Sequence, residues 1–88
     1  MPSFGVRGKP SSAEIRQTAL VAVRYYLRGM QINPLDVDAD GAERALGDFL
    51  YKPELRGTYA YAFADEASDQ QMRLFRQEWE QWRKENTP

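Results

Sequence analysis

The sequence contains neither cysteine nor histidine. The absence of cysteine excludes disulfide bonds, thiolate zinc sites and cysteine nucleophiles. The absence of histidine removes the side chain that most often serves as a general base and as a metal ligand. No GxxxxGK[ST] or GxGxxG phosphate-binding loop is present either. These absences predict a protein that is not an enzyme and that uses no cofactor or metal.

Long apolar runs are also missing. No stretch approaches the roughly 18 residues that a membrane-spanning helix requires, and the N-terminus lacks the apolar region of a secretory signal. We therefore expect a cytoplasmic protein without a membrane span. A chain of 88 residues has room for one hydrophobic core. Residues 1–10 contain two prolines and two glycines and are interpreted as a flexible or extended arm, whereas residues 11–88 are expected to form a single helical domain.

The first helix is predicted by a capping box and by the spacing of its apolar residues. Ser11 and Glu14 have capping-box spacing, which opens a helix over about residues 12–28, with extension to residue 32 as an alternative. Gly29 is expected just beyond its end. One broad face of this helix collects the apolar residues Ile15, Ala19, Leu20, Ala22, Val23, Tyr26, Leu27 and Met30.

The first helix also carries a second set of residues that does not fit the apolar face. Val21 and Tyr25 fall beside its arginines, so the helix either lies centrally in the fold or contacts a partner with this second face. The net charge of −1 divides into +4 over residues 1–33 and −5 over residues 34–88. The two halves either attract each other within the fold or present a basic surface to an anionic partner.

Two further helices are predicted by their N-terminal caps. The second begins within residues 36–41, with Asp38 or Asp40 as its N-cap, and ends before Pro53. The third begins at Ser68, which has capping-box spacing to Gln71, and runs to about residue 85. Its apolar stripe consists of Met72, Phe75, Trp79 and Trp82. Trp79 is expected in the core, whereas Trp82 is assigned equally to the core and to an interface.

The segment 59–64 alternates aromatic residues with alanine. The period of two is that of a strand, although alanine favours a helix. We predict an extended segment in which residues 58–63 form a short two-stranded pairing with residues 3–7. The expected fold is therefore mostly α, with three helices, and an α+β fold is the alternative.

These observations predict a small non-enzymatic protein that binds another protein as an accessory subunit, adaptor or inhibitor. Tryptophan, tyrosine and arginine contribute most to binding at protein interfaces. The predicted contact residues are Arg24, Tyr25, Arg28, Tyr59, Tyr61, Trp82 and Arg83. One alternative is a nucleic-acid-binding regulator that uses the basic first helix, although the sequence pI of 5.4 lies well below the value of about 9 usual for such domains. The second alternative is a structural protein that forms a homodimer, and thus a homo-oligomer, through its C-terminal helix.

Overall fold

The computed structural model describes residues 10–88, which contain four α-helices joined by short connections. The helices are α1 (Ser12–Gly29), α2 (Ala39–Leu50), α3 (Tyr59–Glu66) and α4 (Asp69–Asn86). Single 3₁₀ turns, Pro34–Asp36 and Pro53–Leu55, lie in the connections before and after α2. The prediction of a mostly α fold is confirmed, and the described part of the chain contains no strand.

The structure corrects the prediction for residues 58–63. They were expected to be extended, but they include most of α3, so residues 10–88 contain four helices rather than three and the α+β alternative is wrong. The proposed pairing therefore cannot form as two strands. Its other half, residues 3–7, lies outside the described residues, as does all of the predicted arm except Pro10.

Helix α3 forms because its first residue is preceded by a cap and its small residues favour the helical backbone. The Thr58 hydroxyl accepts a hydrogen bond from the Tyr61 amide at 3.0 Å. Ala60 and Phe63, three positions apart on one helical face, are 1% and 2% exposed. Burial of this face decides between helix and strand where the alternating pattern alone does not.

Each of the other three helices also begins at a side-chain cap. Ser11 and Glu14 form the predicted capping box, and Ser68 accepts from the Gln71 amide at 3.2 Å, as expected. Of the two candidates for α2, Asp38 is the cap, because its carboxylate accepts from the Gly41 amide at 2.9 Å. Local side-chain chemistry thus sets where every helix of the described chain begins.

Helix α1 ends in a Schellman motif whose left-handed residue is Gln31 rather than the predicted Gly29. The Ile32 amide donates to the Leu27 carbonyl and the Gln31 amide to the Arg28 carbonyl, both at 2.9 Å. Gln31 has a φ of 64°, a conformation that is unfavourable for a residue with a Cβ. Gly29 is instead the last residue of the helix.

Replacing Gln31 with glycine is therefore expected to stabilise the protein by about 0.5–1 kcal/mol, because glycine adopts positive φ without steric cost. The measurement is the free energy of unfolding from urea titration followed by far-UV circular dichroism. Gln77→Gly is the matched control: Gln77 is exposed within α4, where glycine should destabilise by about 1 kcal/mol. Equal or lower stability of the Gln31→Gly protein would show that the left-handed residue carries no strain.

The hydrophobic core lies between the four helices and includes residues from each of them. Its buried members are Ile15, Ala19, Leu20, Val23 and Leu27 of α1, Ala42, Ala45 and Leu46 of α2, Phe63 of α3, and Phe75 and Trp79 of α4. The aromatic stripe of α4 is confirmed as core at Phe75 and Trp79, both 0% exposed, whereas Met72 and Trp82 pack against it partly buried. The Trp79 indole Nε1 donates to the Val37 carbonyl at 2.7 Å, which ties α4 to the segment before α2.

Candidate protein-binding surface

One side of α1 turns away from the core and carries exposed apolar and basic residues. Tyr25 is 68% exposed and Val21 is 40% exposed, because the opposite side of the helix supplies the core residues. Arg24 follows Val21 by three positions and Arg28 follows Tyr25 by three, so all four side chains project from the same third of the helix circumference. We call Val21, Arg24, Tyr25 and Arg28 the α1 surface.

Arg24 is half-buried at the edge of the α1 surface. Its guanidinium carbon lies 4.8 Å from the centre of the Trp82 ring, which places the cation on the face of an aromatic side chain. Its Nε donates to the Leu20 carbonyl at 3.4 Å, a long hydrogen bond within the same helix. Burial, and secondly the positive charge of Arg28, lower the pKa of Arg24 from its ordinary value.

Arg24 differs from the other half-buried arginines in having no carboxylate partner among residues 10–88. Arg16 pairs with Glu78 at 2.8 Å, and Arg83 pairs with Glu80 at 2.7 Å. Arg76, the remaining half-buried arginine, lies on α4 and pairs with two carboxylates of α2, Asp40 and Glu43. The exposed Arg28 likewise has no ion pair within this part of the chain. The α1 surface therefore carries two positive charges that the described fold does not neutralise.

Trp82 and Arg83, both predicted contact residues, have roles within the fold. Trp82 is half-buried, with its ring centre 5.5 Å from that of Trp79 and its other contact to Arg24. Arg83 donates from Nε to the Leu35 carbonyl at 3.2 Å in addition to its pair with Glu80. Trp82 thus lies between Trp79 of the core and Arg24 of the α1 surface. Arg83 holds α4 to the connection that follows α1.

Tyr59 and Tyr61 lie on α3 rather than on the α1 surface. They line an open cleft of about 390 Å³ whose other members are Pro10, Gly57, Thr58, Ala62 and Asp65. The guanidinium of Arg56 also lies 6.0 Å from the Tyr61 ring centre. Arg24, Tyr25 and Arg28 share one face of α1, with Trp82 against Arg24, whereas no residue of the α1 surface lines the cleft of Tyr59 and Tyr61.

Two exposed residues were missed by the sequence interpretation. Met30 was placed on the apolar face of the first helix, but it is 46% exposed because the helix ends at Gly29 and the backbone turns there. Tyr51 follows the last residue of α2 and is 87% exposed. The sequence signal for its exposure is its position immediately before Lys52-Pro53, because a helix usually ends at or before the residue that precedes a proline.

No protein-family model, curated protein or solved structure is significantly similar to this chain. None of the helices within residues 10–88 is both long enough and apolar enough to cross a bilayer. The same residues contain no cluster of three acidic side chains arranged to hold a metal ion.

Proposed function

We propose that this is a non-enzymatic protein that binds another protein through the α1 surface, as an accessory subunit, adaptor or inhibitor in the cytoplasm. The proposal rests on one observation: Tyr25, 68% exposed, shares a helical face with Val21 and with two arginines that lack carboxylate partners within residues 10–88. Tyrosine and arginine supply much of the binding energy at protein interfaces. A tyrosine on a packed helix also loses little conformational entropy when a partner covers it.

The alternative of a homodimer through the C-terminal helix has less support. Its apolar stripe would have to supply the contact area, but Phe75 and Trp79 are fully buried in the core of the same chain. Trp82, the remaining large member, lies against Trp79 and beneath Arg24. The largest exposed apolar residues of the described chain lie elsewhere: Val21, Tyr25, Met30, Ile32, Tyr51 and Tyr59.

The double replacement Tyr25→Ala/Arg28→Ala is expected to weaken partner binding at least tenfold, since residues of this kind contribute about 2 kcal/mol or more at the centre of an interface. The fold should remain intact, because both side chains are exposed and exposed substitutions usually change stability by less than about 0.5 kcal/mol. Affinity capture from nuclease-treated host lysate with quantitative mass spectrometry compares the two proteins, and far-UV circular dichroism checks folding.

Arg44→Ala is the matched control, because Arg44 is an exposed arginine of α2 outside the α1 surface. The proposal predicts proteins that wild type and the Arg44→Ala protein retain and the double variant loses. Equal retention by all three would contradict it. Ligands captured from untreated lysate but lost from nuclease-treated lysate would instead favour the nucleic-acid alternative, as would a steep loss of binding with added salt.

A further inference from the structure

The half-buried, unneutralised Arg24 indicates what kind of group the α1 surface binds. Burial disfavours the charged form of a guanidinium unless an anion or several hydrogen bonds compensate. Each of the other three half-buried arginines has such compensation from a carboxylate at 2.5–2.8 Å. Arg24 has one long hydrogen bond and one aromatic contact, and it experiences repulsion from Arg28.

We propose that Arg24 and Arg28 bind a carboxylate side chain of the partner protein, and that an apolar partner residue beside it covers Val21 and Tyr25. The partner segment is therefore acidic with an apolar neighbour. This inference rests on the proposed function of the α1 surface and adds the chemistry of the ligand. It also assigns to Arg24 a contact that is absent from the described fold.

The geometry around Arg24 suits this role. A guanidinium has five N–H donors in one plane, and stacking on a ring leaves the donors at its edge available. Only the Nε of Arg24 has an acceptor within residues 10–88. Trp82, itself packed on Trp79, holds the guanidinium on its ring, so that less side-chain entropy is lost when an anion binds. One carboxylate placed between Arg24 and Arg28 would also relieve their mutual repulsion.

A protein carboxylate accounts for this surface better than a phosphate of a nucleic acid. A nucleic-acid backbone would pair with the arginines but would leave the apolar Val21 without a contact. Val21 and Tyr25 lie one helical turn apart, which is the separation that one apolar side chain of a partner can bridge. The sequence pI of 5.4 also weighs against an extended phosphate-binding surface.

A random-peptide library displayed on phage and selected on the immobilised full-length protein tests this inference. We expect enriched peptides to contain Asp or Glu next to an aliphatic or aromatic residue. Synthetic versions are then titrated by fluorescence anisotropy against wild type, Arg24→Gln, Tyr25→Ala/Arg28→Ala and the control Arg44→Gln. Arg24→Gln should weaken binding about tenfold and Arg44→Gln should not, since loss of one member of a close charge pair typically has such an effect.

A double-mutant cycle tests whether Arg24 itself contacts the peptide carboxylate. Replacing the peptide carboxylate with the corresponding amide should weaken binding to wild type as much as Arg24→Gln does, and should have little further effect on the Arg24→Gln protein. Arg24→Lys keeps the charge but not the planar guanidinium, so its affinity for the acidic peptide should lie between those of wild type and the Arg24→Gln protein. Circular dichroism of each variant separates loss of contact from loss of fold.

The outcomes distinguish this inference from the proposed function. Peptides that require Tyr25 and Arg28 but contain no acidic residue, or that bind the Arg24→Gln protein unchanged, overturn the inference and leave the proposed function standing. Peptides that bind the Tyr25→Ala/Arg28→Ala protein as well as wild type overturn both. Displacement of the peptides by single-stranded homopolymer DNA or RNA at 0.15 M salt would replace the carboxylate with a phosphate and also overturn the inference.

Discussion

Replacing Trp79 with alanine is expected to lower the free energy of unfolding by about 3–5 kcal/mol, the usual cost of truncating a fully buried aromatic residue. Trp79 is 0% exposed, and its ring lies against those of Phe75 and Trp82. A domain of this size has a total stability of roughly 4–13 kcal/mol at 0.05–0.15 kcal/mol per residue. The loss is therefore a large fraction of the total and should clearly lower both the urea midpoint and the melting temperature, as measured by urea and thermal titrations followed by far-UV circular dichroism.

The variant Trp79→Phe separates packing from hydrogen bonding at the same position. Phenylalanine retains an aromatic ring but cannot donate to the Val37 carbonyl, which the Trp79 indole reaches at 2.7 Å. Leaving that acceptor without a donor is expected to cost about 1–3 kcal/mol. Stability of the alanine variant within 1 kcal/mol of wild type would contradict the assignment of Trp79 to the centre of the core. Wild-type stability of the phenylalanine variant would contradict only the contribution of the hydrogen bond.

Replacing Phe63 with alanine is expected to detach α3 while the rest of the fold persists. This helix has eight residues, and a helix that short is unstable unless it is packed. Its only buried residues are Ala60 and Phe63, and the Phe63 ring lies 5.8 Å from that of Phe75. Truncation of a buried phenylalanine costs about 3–5 kcal/mol, and Ala60 would then be the one buried residue left on α3.

Hydrogen exchange followed by NMR or mass spectrometry measures this effect helix by helix. We expect the amides of α3 to lose protection in the Phe63→Ala protein while those of α1 and α4 retain most of theirs. Tyr59→Ala is the matched control, because Tyr59 belongs to the same helix but is 37% exposed. Uniform loss of protection in all four helices would show that α3 unfolds only together with the whole domain.

The sequence predicts helix starts well because each depends on a few neighbouring residues. Ser11, Asp38 and Ser68 are caps or cap candidates on sequence grounds, and each caps its helix in the structure. Thr58 carries the same signal, but the alternation of aromatic residues and alanine after it suggested a strand. Burial of α3 against the core decided in favour of the helix, and a periodicity argument contains no information about that burial.

The candidate site shows the same division between local and long-range information. Tyr25 falls off the apolar face of its helix, which leaves a central helix and a contact surface as alternatives, and the structure shows Tyr25 to be 68% exposed. The contact of Arg24 with Trp82, however, joins the first helix to the last and follows only from the packing of both. The same applies to Arg83, whose donors are used within the fold by Leu35 and Glu80. Residue type suggested these positions. Only the fold shows that Tyr25 is exposed, whereas Trp82 and Arg83 contact other residues of the same chain.

The side-chain caps have a kinetic consequence. Every helix of the described chain carries its start signal within three residues of its own first turn. Correct boundaries can therefore be sampled in the unfolded ensemble before distant parts of the chain meet. The remaining step is the packing of these locally delimited segments against one another, and small helical proteins rich in such local contacts fold within microseconds to milliseconds.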